Sequence, residues 1–168
     1  MAGEQALPGG QPVLVDTDVV SYARRGDSRA ELYRPHLQGR DLLVSFITVA
    51  ELHRGALVRD WGPDRRRRLE QYLARFGLVG FDRALCLVWA TTMAAGERRG
   101  RVLAANDGWI AATALYAGVP LVTNNQRHFA GIDGLRVISE ASASHWEGQD
   151  RCVASARNAP PPEREARR

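Results

Sequence analysis

Aliphatic and polar positions alternate along the chain in a way that predicts an α/β fold. Five short runs rich in valine, leucine and isoleucine are bounded by polar or turn-forming residues, as is typical of buried strands. These predicted strands are residues 13–16, 42–46, 78–81, 119–123 and 135–139. Because the runs are mostly continuous and helical segments separate them, we expect a central parallel sheet covered by helices on both faces.

Helices are predicted between the strands, where apolar residues recur every three or four positions. Residues 47–58 form one helix, and a second begins near Pro63, since proline is tolerated in a first helical turn. Asp82 is expected to cap a third helix, and Gly118 to end a fourth over 104–116. The apolar sides of the first three are expected to be Val49, Leu52, Ala56 and Leu57; Leu69, Tyr72, Leu73 and Phe76; and Leu85, Val88, Trp89 and Met93.

The two ends of the chain differ in composition from the body. Residues 1–11 contain a Pro-Gly-Gly segment and are predicted to be a flexible leader, and residues 149–168 a disordered basic tail. Residues 12–148 are therefore predicted to be one folded domain. The start lacks the basic and apolar segments of a signal peptide, and no run is apolar for long enough to span a membrane. We therefore expect a cytoplasmic protein.

Arginine alone supplies the positive charge of the chain. The formal net charge is +4, and all 23 basic residues are arginine. Arginine forks match phosphate oxygens, although a GC-rich coding bias would give the same composition. The two cysteines are expected to be free thiols, because the chain has no export signal. Cys86 is predicted to be a small core residue, whereas Cys152 lies in the polar tail.

Acid and amide side chains follow the predicted strands. Asp16 ends the first strand, Glu51 comes soon after the second, Asp107 lies early in the fourth helix, and Asn125 follows the fourth strand. Open α/β folds bind their ligands at the carboxyl ends of the parallel strands, near the point where strand order reverses. We therefore expect these four side chains to converge at one edge of the sheet.

The stretch around Asp16 allows three interpretations. Asp16 and Asp18 directly follow a buried strand, so they could cap the next helix, supply a nucleophile, or belong to a metal site. Three converging carboxylates repel one another unless a cation offsets their charge, and hard oxygen ligands suit Mg²⁺ or Mn²⁺. No Cys/His spacing indicates zinc. The histidines, which we interpret as structural or surface residues, are His36, His53, His128 and His145.

Four blocks of the sequence resemble the signature blocks of PIN-domain nucleases, and most of all those of the VapC-type toxins of bacterial toxin–antitoxin systems. The blocks are DTD at 16–18, ITVAELHRGA at 47–56, NDGWIAATALYAG at 106–118 and LVTNNQRHF at 121–129. The resemblance spans residues 13–139. It implies a Rossmann-like α/β/α domain, Mg²⁺- or Mn²⁺-dependent endoribonuclease activity on RNA, a homodimer, and a cognate antitoxin protein as partner.

The resemblance also implies roles for individual residues. By matching blocks, the catalytic positions are Asp16, Glu51, Asp107 and Asn125, of which the three acids would bind metal. Many PIN domains have aspartate at the fourth position, so Asn125 removes one charge, which favours a single metal ion. Thr17 and Thr123 would steady the site by hydrogen bonds, and the role of Asp18 is left open.

Arginines near these blocks are candidate RNA-binding residues. Arg54 and Arg127 lie within the blocks, whereas Arg65 and Arg68 bound a run of four consecutive arginines. Four consecutive helical residues point in most directions around the helix axis. A solvated helix face therefore explains the run as well as contact with RNA phosphates does.

Two other functions remain open from the sequence. Aliphatic residues followed by D-x-D also resemble the first motif of haloacid-dehalogenase-type phosphatases, in which Asp16 would be the nucleophile and Asp18 the general acid. That family needs a later lysine or arginine and a further acidic pair, whereas this chain has no lysine and has Asn124 and Asn125 after its fourth strand. The second alternative is a catalytically inactive PIN scaffold that binds RNA or protein. Loss of a metal acid would mark such a scaffold, and all three acids are present.

Overall fold

The central sheet is parallel, and its strand order reverses around the first strand. The structure, a computed structural model, describes residues 10–141. Its strands are β1 (Gly10–Val15), β2 (Arg40–Ser45), β3 (Gly77–Val79), β4 (Leu121–Val122) and β5 (Val137–Ile138). They lie in the order β3-β2-β1-β4-β5, and each neighbouring pair is parallel. β1 is therefore central, with β2 on one side and β4 on the other.

Helices cover both faces of this sheet, which confirms the predicted fold class. They are α1 (Thr17–Arg25), α2 (Arg29–Leu37), α3 (Phe46–Val58), α4 (Pro63–Leu73), α5 (Arg83–Arg98), α6 (Ala105–Ala117) and α7 (Gln126–Phe129). Successive strand residues point to opposite faces. Val13 and Val15 accordingly pack in a cluster with residues of α1 to α4, whereas Leu14 packs with residues of α6 and α7. Within residues 10–141, no helix has both the length and the apolar character needed to cross a bilayer.

Local signals for helix ends are confirmed. The Asp82 carboxylate accepts a hydrogen bond from the Leu85 amide at 2.8 Å and so caps α5. Pro63 is the first residue of α4, where its missing N–H has no helical partner to lose. Gly118 follows α6 with a φ of 66°, a left-handed conformation that glycine adopts without steric cost.

Strand boundaries differ from the prediction at several places. β4 and β5 have two residues each, although the aliphatic runs predicted five, because only these residues pair with neighbouring strands. β1 begins at Gly10, so Gly10 and Gln11 of the predicted leader belong to the sheet. The rest of that leader, the predicted tail, His145 and Cys152 lie outside the described residues.

Four residues predicted to be buried are exposed. Leu78 and Phe81, from the run predicted as a buried strand, are 60% and 70% exposed. Leu57 is 62% exposed, because α3 directs Thr48, Leu52 and Ala56 inward and the next residue lies about 100° further around the helix. Cys86 is exposed for the same reason, since its neighbour Leu85 occupies the buried position of α5. A run of apolar residues on a helix therefore does not show by itself which member is buried.

Leu52 and Leu57 provide a matched test of this packing, since both are leucines of α3. Leu52 is 9% exposed and belongs to the core, so Leu52→Ala should lower the free energy of unfolding by about 2–5 kcal/mol. Leu57→Ala should change it by less than about 0.5 kcal/mol. Urea denaturation followed by circular dichroism measures both, and equal losses would show that the orientation of α3 is incorrect.

Candidate active site

A pocket of about 400 Å³ lies at the carboxyl end of β1, where the strand order reverses. Open α/β folds place their ligands at this position. Acidic, amide, hydroxyl and arginine side chains line it together. The lining residues are Asp16, Thr17, Asp18, Ser21, Tyr22, Arg25, Arg29, Glu51, Asp107, Ile110 and Asn125. The structure thus brings together the four side chains that the sequence placed at the strand ends, and adds Asp18 to them.

Asp16 is the buried centre of the pocket, and we refer to the pocket below as the acid pocket. It directly follows β1 and is the N-cap of α1, so strand and helix both fix its position. Its Oδ1 accepts a hydrogen bond from the Thr17 amide at 2.7 Å. Its Oδ2 accepts one from the Thr123 hydroxyl at 2.6 Å, which links β1 to the segment that follows β4. With 6% of its surface exposed, Asp16 is a buried carboxyl group held on both oxygens.

Asp18 connects α1 to the same segment after β4. Its Oδ1 accepts from the Val19 amide at 2.6 Å, and its Oδ2 accepts from the Asn124 amide at 3.0 Å. Asp18 lies in the first turn of α1, where the exposed helix N–H groups favour negative charge. Asp16, and not Asp18, is the N-cap of α1, and Asp18 lines the acid pocket.

Glu51 enters the pocket from α3. Ser45 ends β2 and caps α3, with its Oγ accepting from the Thr48 amide at 3.0 Å, and this sets where the helix begins. The two Glu51 oxygens accept hydrogen bonds from the Thr17 hydroxyl at 2.5 Å and from the Asn106 amide group at 2.7 Å. Glu51 is therefore held between α1 and α6.

Asp107 enters from the first turn of α6, and His128 of α7 lies against it. The His128 Nδ1 and the Asp107 Oδ2 are 3.1 Å apart. α6 has no side-chain cap at its N-terminus, so its first turn presents amide groups near this acid. Two other histidines lie elsewhere: His36 pairs with Glu140, and His53 pairs with Glu70.

The segment 123–125 closes the pocket on the side of β4. Asn125 lines the pocket, and its backbone N–H donates to the Thr123 hydroxyl at 3.0 Å. Tyr33 of α2 lies fully buried behind this segment. Its hydroxyl donates to the Asn124 Oδ1 at 3.0 Å and accepts from the Glu140 amide at 3.3 Å. Tyr33 of α2, together with Glu140, thereby holds in place the segment that contacts Asp16 and Asp18.

Burial raises the pKa values of three of these acids, and at Asp16 and Asp107 the charge of a neighbouring acid adds to its effect. The pKa of Asp16 is raised to about 8, chiefly by burial and then by the charge of Asp18. Burial likewise raises the pKa of Asp18 to about 6, against the lowering effect of its backbone hydrogen bonds. The pKa of Asp107 is raised by burial and opposed by His128. Burial thus favours the protonated form of these acids, and a bound cation would act in the opposite direction.

The acids are chemically suited to a hard divalent cation, although they do not close around one point. Among residues 10–141, no three Asp, Glu, His or Cys side chains converge closely enough to form a complete protein cage for an ion. Mg²⁺ does not require such a cage, because it commonly retains several waters and uses one or two carboxylates. The carboxylate set and its raised pKa values therefore fit a partly hydrated cation.

The predicted arginines are divided between two regions. Arg54 and Arg65 line a groove beside the acid pocket, whereas Arg68 and Arg127 lie outside the linings of both.

Three residues contact site residues that the sequence did not link them to: His128 contacts Asp107, Asn106 contacts Glu51, and Tyr33 contacts Asn124. His128 and Asn106 lie within the matched blocks, next to predicted site positions, so their places in the sequence could have indicated a role in the site. Tyr33 offered no such indication, because its role depends on how α2 packs.

This chain is similar in sequence and in structure to proteins of one family. A family model for the PIN domain matches residues 13–135. Ribonuclease VapC1 of Haemophilus influenzae is 30% identical over 128 residues, which cover 73% of this chain and 93% of that protein. Toxin FitB of Neisseria gonorrhoeae is 31% identical over 129 residues, covering 72% and 93%. The structure of VapBC-1 from nontypeable Haemophilus influenzae superposes with a TM-score of 0.66 at 28% identity, over 76% of this chain and 97% of that one.

The raised pKa of Asp16 predicts a dependence of stability on pH in the absence of divalent metal. The folded state keeps this proton to about pH 8, whereas the carboxyl group ordinarily loses it near pH 3.8. Between these values the folded state binds more protons, so the free energy of unfolding falls as pH rises. We expect a fall of at least about 2 kcal/mol, since each pKa unit corresponds to about 1.4 kcal/mol.

Urea denaturation in EDTA at several pH values between 4 and 8 measures this slope. Asp16→Asn should flatten it, because the amide does not titrate. Asp41→Asn is the matched control, since Asp41 is an exposed residue of β2. A parent protein whose stability is constant or rises over this window would contradict the burial-driven shift at Asp16.

Proposed function

Because the chain belongs to the PIN domain family, among relatives that include the VapC ribonucleases, we propose that it is a metal-dependent endoribonuclease. It would hydrolyse RNA phosphodiester bonds and act as the toxin of a type II toxin–antitoxin pair. The observation that supports this most is the acid pocket itself. Four carboxylates from α1, α3, α6 and the end of β1 line one open pocket at the reversal of strand order.

Asp16, Glu51 and Asp107 are the residues that would hold Mg²⁺ or Mn²⁺. When bound, a divalent cation supplies positive charge that favours ionisation of water and offsets the charge that develops on the phosphate. The pocket is open on one side, which leaves room for water and for a phosphodiester. In the reaction, a water oxygen would attack the phosphorus and one bridging P–O bond would break; the attacking water gives up a proton, and the leaving oxygen takes one up to become a hydroxyl group.

The surrounding residues would keep these acids in place during that reaction. Thr123 fixes one oxygen of Asp16, and Thr17 fixes one oxygen of Glu51. Each hydroxyl donates a hydrogen bond and so fixes the orientation of its acid; at Asp16 the hydrogen bond from Thr123 also lowers the pKa, against the larger effect of burial. Asn125 would contribute a neutral polar group beside the phosphate, in place of a further negative charge. His128 would balance the charge of Asp107 and limit its rotation.

A cognate antitoxin and a second copy of this chain are the proposed protein partners. The relatives include a protein named Toxin FitB, and the resemblance to VapC-type toxins carries both expectations. An antitoxin would have to neutralise the acid pocket or obstruct it. Co-expression of the chain with the product of the adjacent reading frame, followed by co-purification, tests this partnership directly.

The two alternative functions have less support. In the phosphatase reading, Asp16 acts as a nucleophile with Asp18, and no role falls to Glu51 and Asp107, which line the same pocket. An inactive scaffold would be free to lose the metal-binding acids, whereas Asp16, Glu51 and Asp107 are all present in the pocket. A small phosphate ester and a structured RNA therefore make a useful pair of test substrates.

Asp16→Asn and Asp107→Asn should each lower the rate of RNA cleavage on the order of 100-fold or more, since each removes a carboxylate that would hold the divalent cation beside the reacting phosphate. The assay is cleavage of end-labelled RNA with Mg²⁺ or Mn²⁺, and EDTA should abolish it. Asp41→Asn, an exposed acid of β2, should cleave at the parent rate. Parent-like cleavage by either pocket variant, in protein that retains its circular dichroism spectrum, would refute the assignment.

A further inference from the structure

A groove rich in arginine lies directly beside the acid pocket. Its basic and aromatic lining consists of Arg24, Arg25, Arg54, Arg59, Arg65 and Trp61, and we call it the arginine groove. These residues come from α1, α3, α4 and the turn between α3 and α4. Arginines that are distant in the sequence are thus gathered on one surface, and Arg54 and Arg65 are two of them.

The arginine groove is continuous with the acid pocket. Thr17, Ser21, Arg25 and Glu51 line both. A ligand that extends out of the acid pocket in this direction therefore meets guanidinium groups next. The two surfaces have opposite charge, and the boundary between them lies along α1 and the side chain of Glu51.

The arginines of the groove form no direct ion pairs with the acids of residues 10–141. Among the described residues, the ion pairs of arginine involve Arg29, Arg34, Arg67 and Arg99, and none of the five groove arginines has a carboxylate within 4.0 Å. Arg25 and Arg59 instead donate to backbone carbonyls one turn away. The groove consequently presents several positive charges that no carboxylate of residues 10–141 pairs with directly.

Trp61 holds two of these arginines together despite their like charge. The guanidinium carbons of Arg24 and Arg65 lie 4.6 Å and 4.4 Å from the centre of its ring. Such cation–π contacts favour a fixed guanidinium position. The Nε of Arg24 is buried and has no hydrogen-bond partner in the described structure. Burial and the nearby charges of Arg25 and Arg65 lower the pKa of Arg24, and a bound anion would relieve this repulsion.

We propose that the arginine groove binds the sugar–phosphate backbone of the RNA strand whose scissile phosphate occupies the acid pocket. This rests on the proposed function, and it assigns phosphate contacts to Arg24 and Arg65 in particular. Arginine forks match phosphate oxygens, and basic grooves that include an aromatic ring are typical of single-strand binding. A protein partner is a poorer fit, because Leu52 and Leu69 of the lining are buried in the core and offer little apolar surface.

Salt-dependent RNA binding tests this assignment without requiring cleavage. The Asp16→Asn protein would be titrated into a short fluorescent single-stranded RNA over a range of salt concentrations, with anisotropy as the readout. Adding Arg24→Ala and Arg65→Ala should weaken binding on the order of tenfold at low salt. The slope of log K against log salt should become shallower by about 1.4, since each phosphate contact on a single strand contributes about 0.7.

Arg67→Ala in the same background is the matched control. Arg67 is also on α4, but it pairs with Asp64 outside the groove, so its removal should leave the slope unchanged. Arg24 is partly buried, and its loss could reduce folding. Arg54→Ala with Arg65→Ala therefore provides a second variant in which both side chains are exposed, and it should also make the slope shallower.

Two results would overturn the proposal. The first is an unchanged salt slope in both double variants, even if the parent cleaves RNA; the proposed function would then stand and the groove assignment would fall. The second is unchanged RNA binding together with loss of a co-purified antitoxin, which would make the groove a protein interface. Absence of cleavage by the parent would count against the proposed function alone.

Discussion

The structure depends on the burial of the Asp16 carboxyl group at the end of its central strand. A buried carboxylate is costly unless hydrogen bonds and a counter-charge compensate for lost solvation. Two hydrogen bonds, from the Thr17 amide and the Thr123 hydroxyl, hold both of its oxygens. They do not supply positive charge, and the pKa of Asp16 is accordingly raised to about 8. The proposed divalent cation would supply the positive charge that Asp16 and the three acids beside it lack.

The topology explains why acids so distant in the sequence meet at one place. β1 is flanked by β2 and β4, and the segments that follow these three strands supply Asp16, Glu51 and the 123–125 segment. The first turn of α6 supplies Asp107 to the same pocket. Hydrogen bonds then tie the elements to one another: the Thr17 hydroxyl donates to Glu51, and the Asn124 backbone N–H donates to Asp18. The strand order of the sheet, and not a single loop, therefore brings the residues of the pocket together.

The sequence predicted the sheet and the convergence of acids well, for identifiable reasons. Buried parallel strands leave continuous aliphatic runs, and the rule for ligand position in open α/β folds needs only strand ends. The prediction from the sequence was wrong where the burial of a residue depends on how a helix is rotated about its axis. Leu57 and Cys86 sit beside buried residues of α3 and α5, and a single step of about 100° makes them exposed. The contact of Tyr33 with Asn124 joins residues 91 positions apart, which no local pattern encodes.

Divalent-metal binding by the intact protein tests the central claim most directly. Isothermal titration calorimetry of Mn²⁺ at pH 7, in two buffers with different ionisation enthalpies, reports both affinity and proton release. The account predicts that the parent binds Mn²⁺ and releases a proton as it does so, because Asp16 is protonated beforehand, and that Asp16→Asn loses most of the affinity. Equal affinity in the two proteins, or a parent heat that is independent of the buffer, would contradict it.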